Sequence, residues 1–281
     1  MNEQFKQFKP FPVNDSHHHI EDVEPIEKTT ETFRQLMDFF GYDRILLLAL
    51  HDWMREDGCV DPTNSMRALY EKQALQPRVY AFAGLQHFGD QRDTPQGYRE
   101  QLRRAWEMGF DGLKMWEEKP GMRKKLGYAL DSALFEPLFA YAEEQGVPIT
   151  LHAADPLECW DLNGPHATYF RSRNWLCDES FPPRHQIYQE IEGVMRRHPR
   201  LRLCLAHLSC DGESVEAATR FLSDYPNTAY DLTPSASVYK AASRDPRAWR
   251  EFFLRFADRL LYGTDMYNVP LAPDGTLKAW G

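Results

Sequence analysis

Short aliphatic runs alternate along this chain with longer segments whose apolar residues recur every three or four positions. The short runs read as strands: Phe11–Ile20, Arg44–Leu50, Arg78–Leu85, Gly112–Trp116, Pro148–Ala153, Leu201–Leu208, Thr228–Leu232 and Leu260–Thr264. Between them, amphipathic helices are predicted over Thr29–Phe40, Thr63–Gln73, Thr94–Met108, Ser132–Gln145, His185–Arg197, Glu213–Ser223 and Pro246–Phe256. Thr94-Pro95 is a helix-start pair, and Gly109 and Gly146 follow two of the predicted ends, where a left-handed cap favours glycine. Eight strands alternating with helices predict an α/β fold, a (β/α)8 TIM barrel. An open doubly wound sheet would give a similar string. No G-x-G-x-x-G follows the first strand, which counts against the dinucleotide-binding form of that alternative.

The chain has no low-complexity stretch and no obvious linker, so residues 1–281 are expected to form a single domain. The sixteen residues after Asp265 are rich in Pro and Gly and predict no eighth outer helix. On this reading a further C-terminal piece, the N-terminal arm or a partner subunit covers strands one and eight, and a homodimer fits the last case.

Composition narrows the classes. An apolar content of 42% fills a large core, and the net charge of −9 counts against nucleic-acid binding. The five cysteines (Cys59, Cys159, Cys177, Cys204, Cys210) form no C-x-x-C pair, and with no signal-like N-terminus and no membrane-length apolar run they suggest a cytoplasmic, membrane-free protein.

The chemistry-bearing residues gather at predicted strand ends. In a strand, residues i and i+2 share a face, so His17 and His19 project together, with Asp15 behind them and His18 turned away. His152 closes PITLH, His207 closes LRLCLAH and Asp265 closes LLYGTD. A barrel puts its active site at these C-terminal ends. Taken singly, each residue reads as a satisfied core histidine or a capping aspartate; taken together they form a nitrogen-rich donor set suited to a divalent ion such as zinc, with manganese or iron as alternatives.

The pattern Asp15-Ser16-His17-His18-His19, then His152, His207 and Gly263-Thr264-Asp265, resembles the amidohydrolase superfamily. The likeness is strongest to its amidohydrolase-2 branch, which includes decarboxylases similar to aminocarboxymuconate semialdehyde decarboxylase. The resemblance implies that His17, His19, His152 and Asp265 bind one metal ion. It also implies that His207 and Asp265 act in catalysis, Asp265 taking a proton from the attacking water and His207 orienting it or donating to a leaving group. Two-metal relatives bridge their ions through a carboxylated lysine on strand four, where this chain has Lys114; the branch it most resembles works with one metal. The other reading of Lys114 is binding of a substrate anion.

Two segments bear on the substrate. Glu117–Leu130, read as a loop, carries Lys119, Arg123, Lys124 and Lys125, which either attract an anion or form a solvated surface. The long stretch from Ala154 to Arg184 contains Trp160, Arg171 and Arg173, suited to an unsaturated or aromatic carboxylate, or else to packing a lid. Three functions result: a metal-dependent hydrolase of an amide, ester or lactone on a small-molecule substrate; a metal-dependent non-oxidative decarboxylase; or an inactive barrel serving as a binding or subunit-contact protein.

Overall fold

Eight parallel strands form one sheet in simple chain order, each hydrogen-bonded to the next. They are β1 (Val13–Ile20), β2 (Tyr42–Ala49), β3 (Val79–Gly84), β4 (Gly112–Glu118), β5 (Ile149–Ala153), β6 (Leu203–Leu205), β7 (Thr228–Asp231) and β8 (Leu260–Leu261). This computed structural model describes residues 11–21, 25–50, 63–87, 93–210, 214–234 and 236–269. The N-terminal arm to residue 10, Cys59, Glu213 and the Pro- and Gly-rich tail from residue 270 lie outside them.

Seven helices fill the spaces between consecutive strands: α1 (Ile26–Phe40), α2 (Thr63–Ala74), α3 (Pro95–Met108), α5 (Glu136–Gln145), α7 (Arg184–Arg197), α8 (Val215–Asp224) and α10 (Pro246–Arg255). Three shorter ones, α4 (Pro120–Leu126), α6 (Ala167–Ser172) and α9 (Ala236–Arg244), sit in the loops that leave β4, β5 and β7. The architecture is a TIM barrel. Along β4, Leu113 and Met115 pack outward with Tyr98, Leu102 and Leu138 of the helix layer, while Lys114 between them faces the other way. A second cluster joins β1–β3 to α1 and α2 through Phe33, Leu36, Leu47 and Ala81. No helix among the described residues is long and apolar enough to cross a membrane.

The seam between the last and first strands is made by chain beyond β8. Ser16 N–H donates to Tyr262 O at 2.8 Å, Asp265 N–H to His17 O at 2.8 Å and His19 N–H to Met266 O at 2.6 Å. The buried Asp15 carboxylate reinforces it: Oδ1 accepts from Thr264 N–H at 3.1 Å and Oδ2 from the Thr264 hydroxyl at 2.6 Å. Through Val269 no helix follows β8 among the described residues, and Leu261 and Tyr262 are exposed there.

Several predicted boundaries move for physical reasons. The predicted strand Leu201–Leu208 stops at Leu205, because His207, Leu208, Ser209 and Cys210 all take left-handed backbone (φ 49–59°). The strand predicted to run to Thr264 ends at Leu261 as the chain bends toward β1. Pro137 at the first turn sets the start of α5 at Glu136, later than the expected Ser132. The basic segment after β4 is not an open loop: Pro120 starts α4 within it, and Gly127 ends that helix with φ 73°. Helix α9 had no counterpart in the predicted set.

At the seam, Gly263 has no room for a side chain, since a Cβ there would lie 2.6 Å from both His17 Cβ and Thr233 Oγ1. Gly263→Ala is therefore expected to destabilise the fold by about 1–3 kcal/mol, measured by urea unfolding. An unchanged midpoint would show that the seam tolerates slack.

Candidate metal centre

A bulge shapes the strand that carries the first two histidines. The pairing register of β1 on β2 shifts between Asp15 and His18, and bulges often re-aim side chains near active sites. His18 leaves the centre and packs in the wall: Nδ1 contacts Asp15 Oδ2 at 3.2 Å and its ring stands 5.4 Å from Phe33. His17 and His19 turn to the centre instead.

Each of the two is locked by its other ring nitrogen. His17 Nδ1 donates to Asp231 Oδ2 at 2.8 Å, and His19 Nδ1 donates to the Leu48 carbonyl at 2.8 Å. A carbonyl only accepts, so the proton of neutral His19 is on Nδ1 and its Nε2 keeps a lone pair. The carboxylate partner fixes His17 in the same tautomer.

These two bare nitrogens converge. His17 Nε2 and His19 Nε2 lie 3.1 Å apart, and Asp265 Oδ1 lies 3.0 Å from His19 Nε2 and 3.4 Å from His17 Nε2. Ligands at the zinc distances of 2.0–2.1 Å around a tetrahedral ion stand about 3.3 Å apart. All three side-chain atoms thus meet the spacing for one shared cation, and they are the potential metal-holding group among the described residues. Three potential donor atoms this close form a focus at which a cation, or a proton on one imidazole, would join them.

Strained backbone presents two of the polar side chains. Asp265 has φ 59° and His207 φ 55°, left-handed values that cost a non-glycine residue roughly 1–2 kcal/mol. Hydrogen bonds hold both in place: Asp265 N–H reaches His17 O, and His207 N–H donates to Asp231 Oδ1 at 2.8 Å. Asp231 therefore steers His17 with one oxygen and His207 with the other. It ends β7 as Thr-Ala-Tyr-Asp, obeying the same strand-end pattern as His152 and Asp265, so that pattern would have found it.

His152 stands one step away from the three converging atoms. Its ring lies 4.9 Å from that of His207, which in turn lies 5.1 Å from His17, and its Nε2 faces Asp155 Oδ1 at 3.3 Å. Lys114 is 2% exposed, and its Nζ has no hydrogen-bond partner among the described residues. The remaining predicted substrate residues lie elsewhere. Trp160 packs half-buried, with its indole N–H toward Pro182 O at 3.4 Å. Arg171 in α6 and Arg173 just past its end are both exposed, Arg173 over the Tyr169 ring at 5.6 Å.

Burial sets the charge states. It pulls the His19 imidazole down to about 4 against the pull of Asp265, and it draws His207 down to about 3, helped by His152 and His17. It lowers His152 too, with Lys119 adding to the effect, and it lowers the Lys114 ammonium against Asp231 and Asp265. Burial alone would raise Asp265, but its neighbour His19, then His17 and His207, outweigh it and hold the carboxyl well below its usual range. At neutral pH His19, His152 and His207 are therefore neutral and Asp265 is ionised, the protonation states that metal ligands need.

The amidohydrolase family model matches residues 15–280, spanning all of these residues. A search of curated proteins returns no match. Solved structures resemble this one in fold. The 2,6-dihydroxybenzoate decarboxylase from Rhizobium shares 18% identity over 90% of this chain and 87% of its own, with a TM-score of 0.54. A dihydroxybenzoic acid decarboxylase from Polaromonas, solved with manganese and the inhibitor 2-nitroresorcinol, shares 15% over 90% and 86%, with a TM-score of 0.52. The 4-oxalomesaconate hydratase from Rhodopseudomonas palustris shares 13% over 94% and 86%, with a TM-score of 0.55.

Removing the carboxylate behind His17 tests the geometry. Asp231→Asn is expected to weaken manganese or zinc binding roughly 10–100-fold, read by competition with a chelator. Unchanged affinity would mean that the His17–Asp231 hydrogen bond does not set the ring.

Proposed function

The chain belongs to the amidohydrolase family, and from that premise we propose that it is a metal-dependent enzyme acting on a small carboxylate-bearing substrate, with hydrolysis of an amide, ester or lactone as its leading reaction. The observation that carries this reading is the meeting of His17 Nε2, His19 Nε2 and Asp265 Oδ1 within 3.0–3.4 Å, with the tautomers of both histidines fixed from behind. His17, His19 and Asp265 would hold the ion, with His152 as the further ligand beside His207. Zinc suits the nitrogen-rich set; manganese and iron are the alternatives. When bound, such an ion acts as a Lewis acid and lowers the pKa of water to roughly 7.

The protein's own groups divide the remaining work. Asp265, 38% exposed at its side chain, is open to a reacting molecule and accepts a proton. His207 is neutral with its backbone fixed, so its imidazole would orient the attacking water, and the proton that Asp265 takes from that water would pass to the leaving group. The unpartnered Lys114 ammonium, enclosed with Asp231 and Asp265, offers its donors to a substrate anion.

Decarboxylation is the second reading, favoured by a specific observation: an unpartnered lysine in the barrel can hold a carboxylate beside the ion. The decarboxylases that share the fold act on dihydroxybenzoates, which makes aromatic acids the first compounds to try. Product analysis separates the reactions: carbon dioxide marks the lyase, a free acid with amine or alcohol the hydrolase. With the substrate that such a screen yields, His207→Asn is expected to lower kcat by roughly 10²–10⁴ at unchanged metal content. Full activity in that variant would remove His207 from the chemistry.

A further inference from the structure

Ala154, directly after β5, takes left-handed backbone (φ 57°), as His207 and Asp265 do. Such a conformation in a non-glycine residue persists only where the surroundings hold it. Ala154 N–H donates to Glu118 O at 3.0 Å, and Arg184 Nε donates to the carbonyl of Asp155 at 3.3 Å. In a continuing strand Asp155 would lie about 10 Å along from His152 and on the opposite face. The turn at Ala154 folds the chain back instead, and Asp155 Oδ1 comes within 3.3 Å of His152 Nε2.

The same oxygen accepts from Lys119 Nζ at 2.9 Å. Lys119 follows β4 directly, and the pairing of Glu118 with Ala153 brings the ends of these two strands together. Arg123 of the same segment makes a forked, buried pair with Glu190 instead (3.0 and 3.1 Å). A carboxylate paired with an ammonium only accepts, so His152 donates from Nε2 and its Nδ1 keeps the lone pair. Among the described residues that Nδ1 makes no hydrogen bond. This is the reverse of His17 and His19, whose Nδ1 is held and whose Nε2 is bare.

We propose that Asp155, anchored by Lys119, is the positioning residue of His152, fixing its ring so that Nδ1 rather than Nε2 is presented to the ion. The inference rests on the reading above in which His152 is the further metal ligand. Each of the three imidazoles is then steered from its far side, His17 by Asp231, His19 by the Leu48 carbonyl and His152 by Asp155. Lys119 has a separate task. Asp155 is 7% exposed, and a buried carboxylate without a counter-charge would itself compete for a cation. Matched by the ammonium, it orients the ring and stays out of the coordination.

The test is a long-range proton–nitrogen NMR spectrum of protein carrying nitrogen-labelled histidine, which reports the protonated nitrogen of each ring, recorded before and after zinc loading. Zinc affinity is measured beside it by competition with a chelator, and His152→Asn identifies the His152 signals by their loss. Wild-type His152 is expected to be protonated on Nε2 in both states. Asp155→Ala combined with Lys119→Met leaves neither charge buried alone. This double variant should show mixed His152 tautomers before loading and bind zinc roughly 10–100-fold more weakly. Asp155→Asn keeps an acceptor oxygen in place and should retain both the tautomer and the affinity, whereas an effect of the lost ion pair alone would appear in it equally. The wild-type spectrum decides by itself if the double variant does not fold. Wild-type His152 protonated on Nδ1, or a double variant that keeps its single tautomer or its affinity, would overturn the positioning role and leave the metal site standing. A folded wild type that takes up no zinc sinks the metal reading and this role with it.

Discussion

Two imidazole lone pairs and one carboxylate oxygen face a single point from 3.0–3.4 Å apart, and much of the barrel is arranged to keep them there. Each nitrogen is held bare by a hydrogen bond on the opposite side of its ring, from Asp231 and from the Leu48 carbonyl. A cation at the focus would meet all three atoms with little movement of the side chains on binding.

The same constraint explains why the seam of the barrel is irregular. A regular eighth strand would carry Asp265 in extended backbone, with alternate residues on opposite faces. The chain instead leaves strand pairing after Leu261, uses Asp15 to catch Thr264, and presents Asp265 at φ 59°. Next door, β6 gives up its last residues to a left-handed run so that His207 N–H can meet Asp231. Strain is therefore concentrated where the chemistry is proposed to occur, while the helix layer packs conventionally.

The alternation of strands and helices was legible because burial on a barrel imposes period two on one kind of segment and period three to four on the other. His17 and His19 were legible from their i, i+2 spacing on one strand, and Asp265 as a polar residue closing an apolar run. Asp231 obeys the same strand-end rule, although a lone aspartate at a strand end also reads as a cap. What sequence could not convey was direction: that His207 and Asp265 would adopt left-handed backbone, or that Arg123 would be buried on Glu190 while Lys119, four residues earlier, reached Asp155. Such choices depend on partners distant in sequence. Arg171 and Arg173 read as suited to an anion by type; both are exposed, one in α6 and one just past its end.

The central claim is that the three converging atoms are a metal site, and metal content tests it most directly. Plasma mass spectrometry of purified protein supplied with zinc or manganese is expected to give about one ion per chain, lost in a His17→Ala, His19→Ala double variant that still folds. Two ions per chain would draw Lys114 into the coordination. A folded wild-type protein that retains no divalent metal would contradict the account.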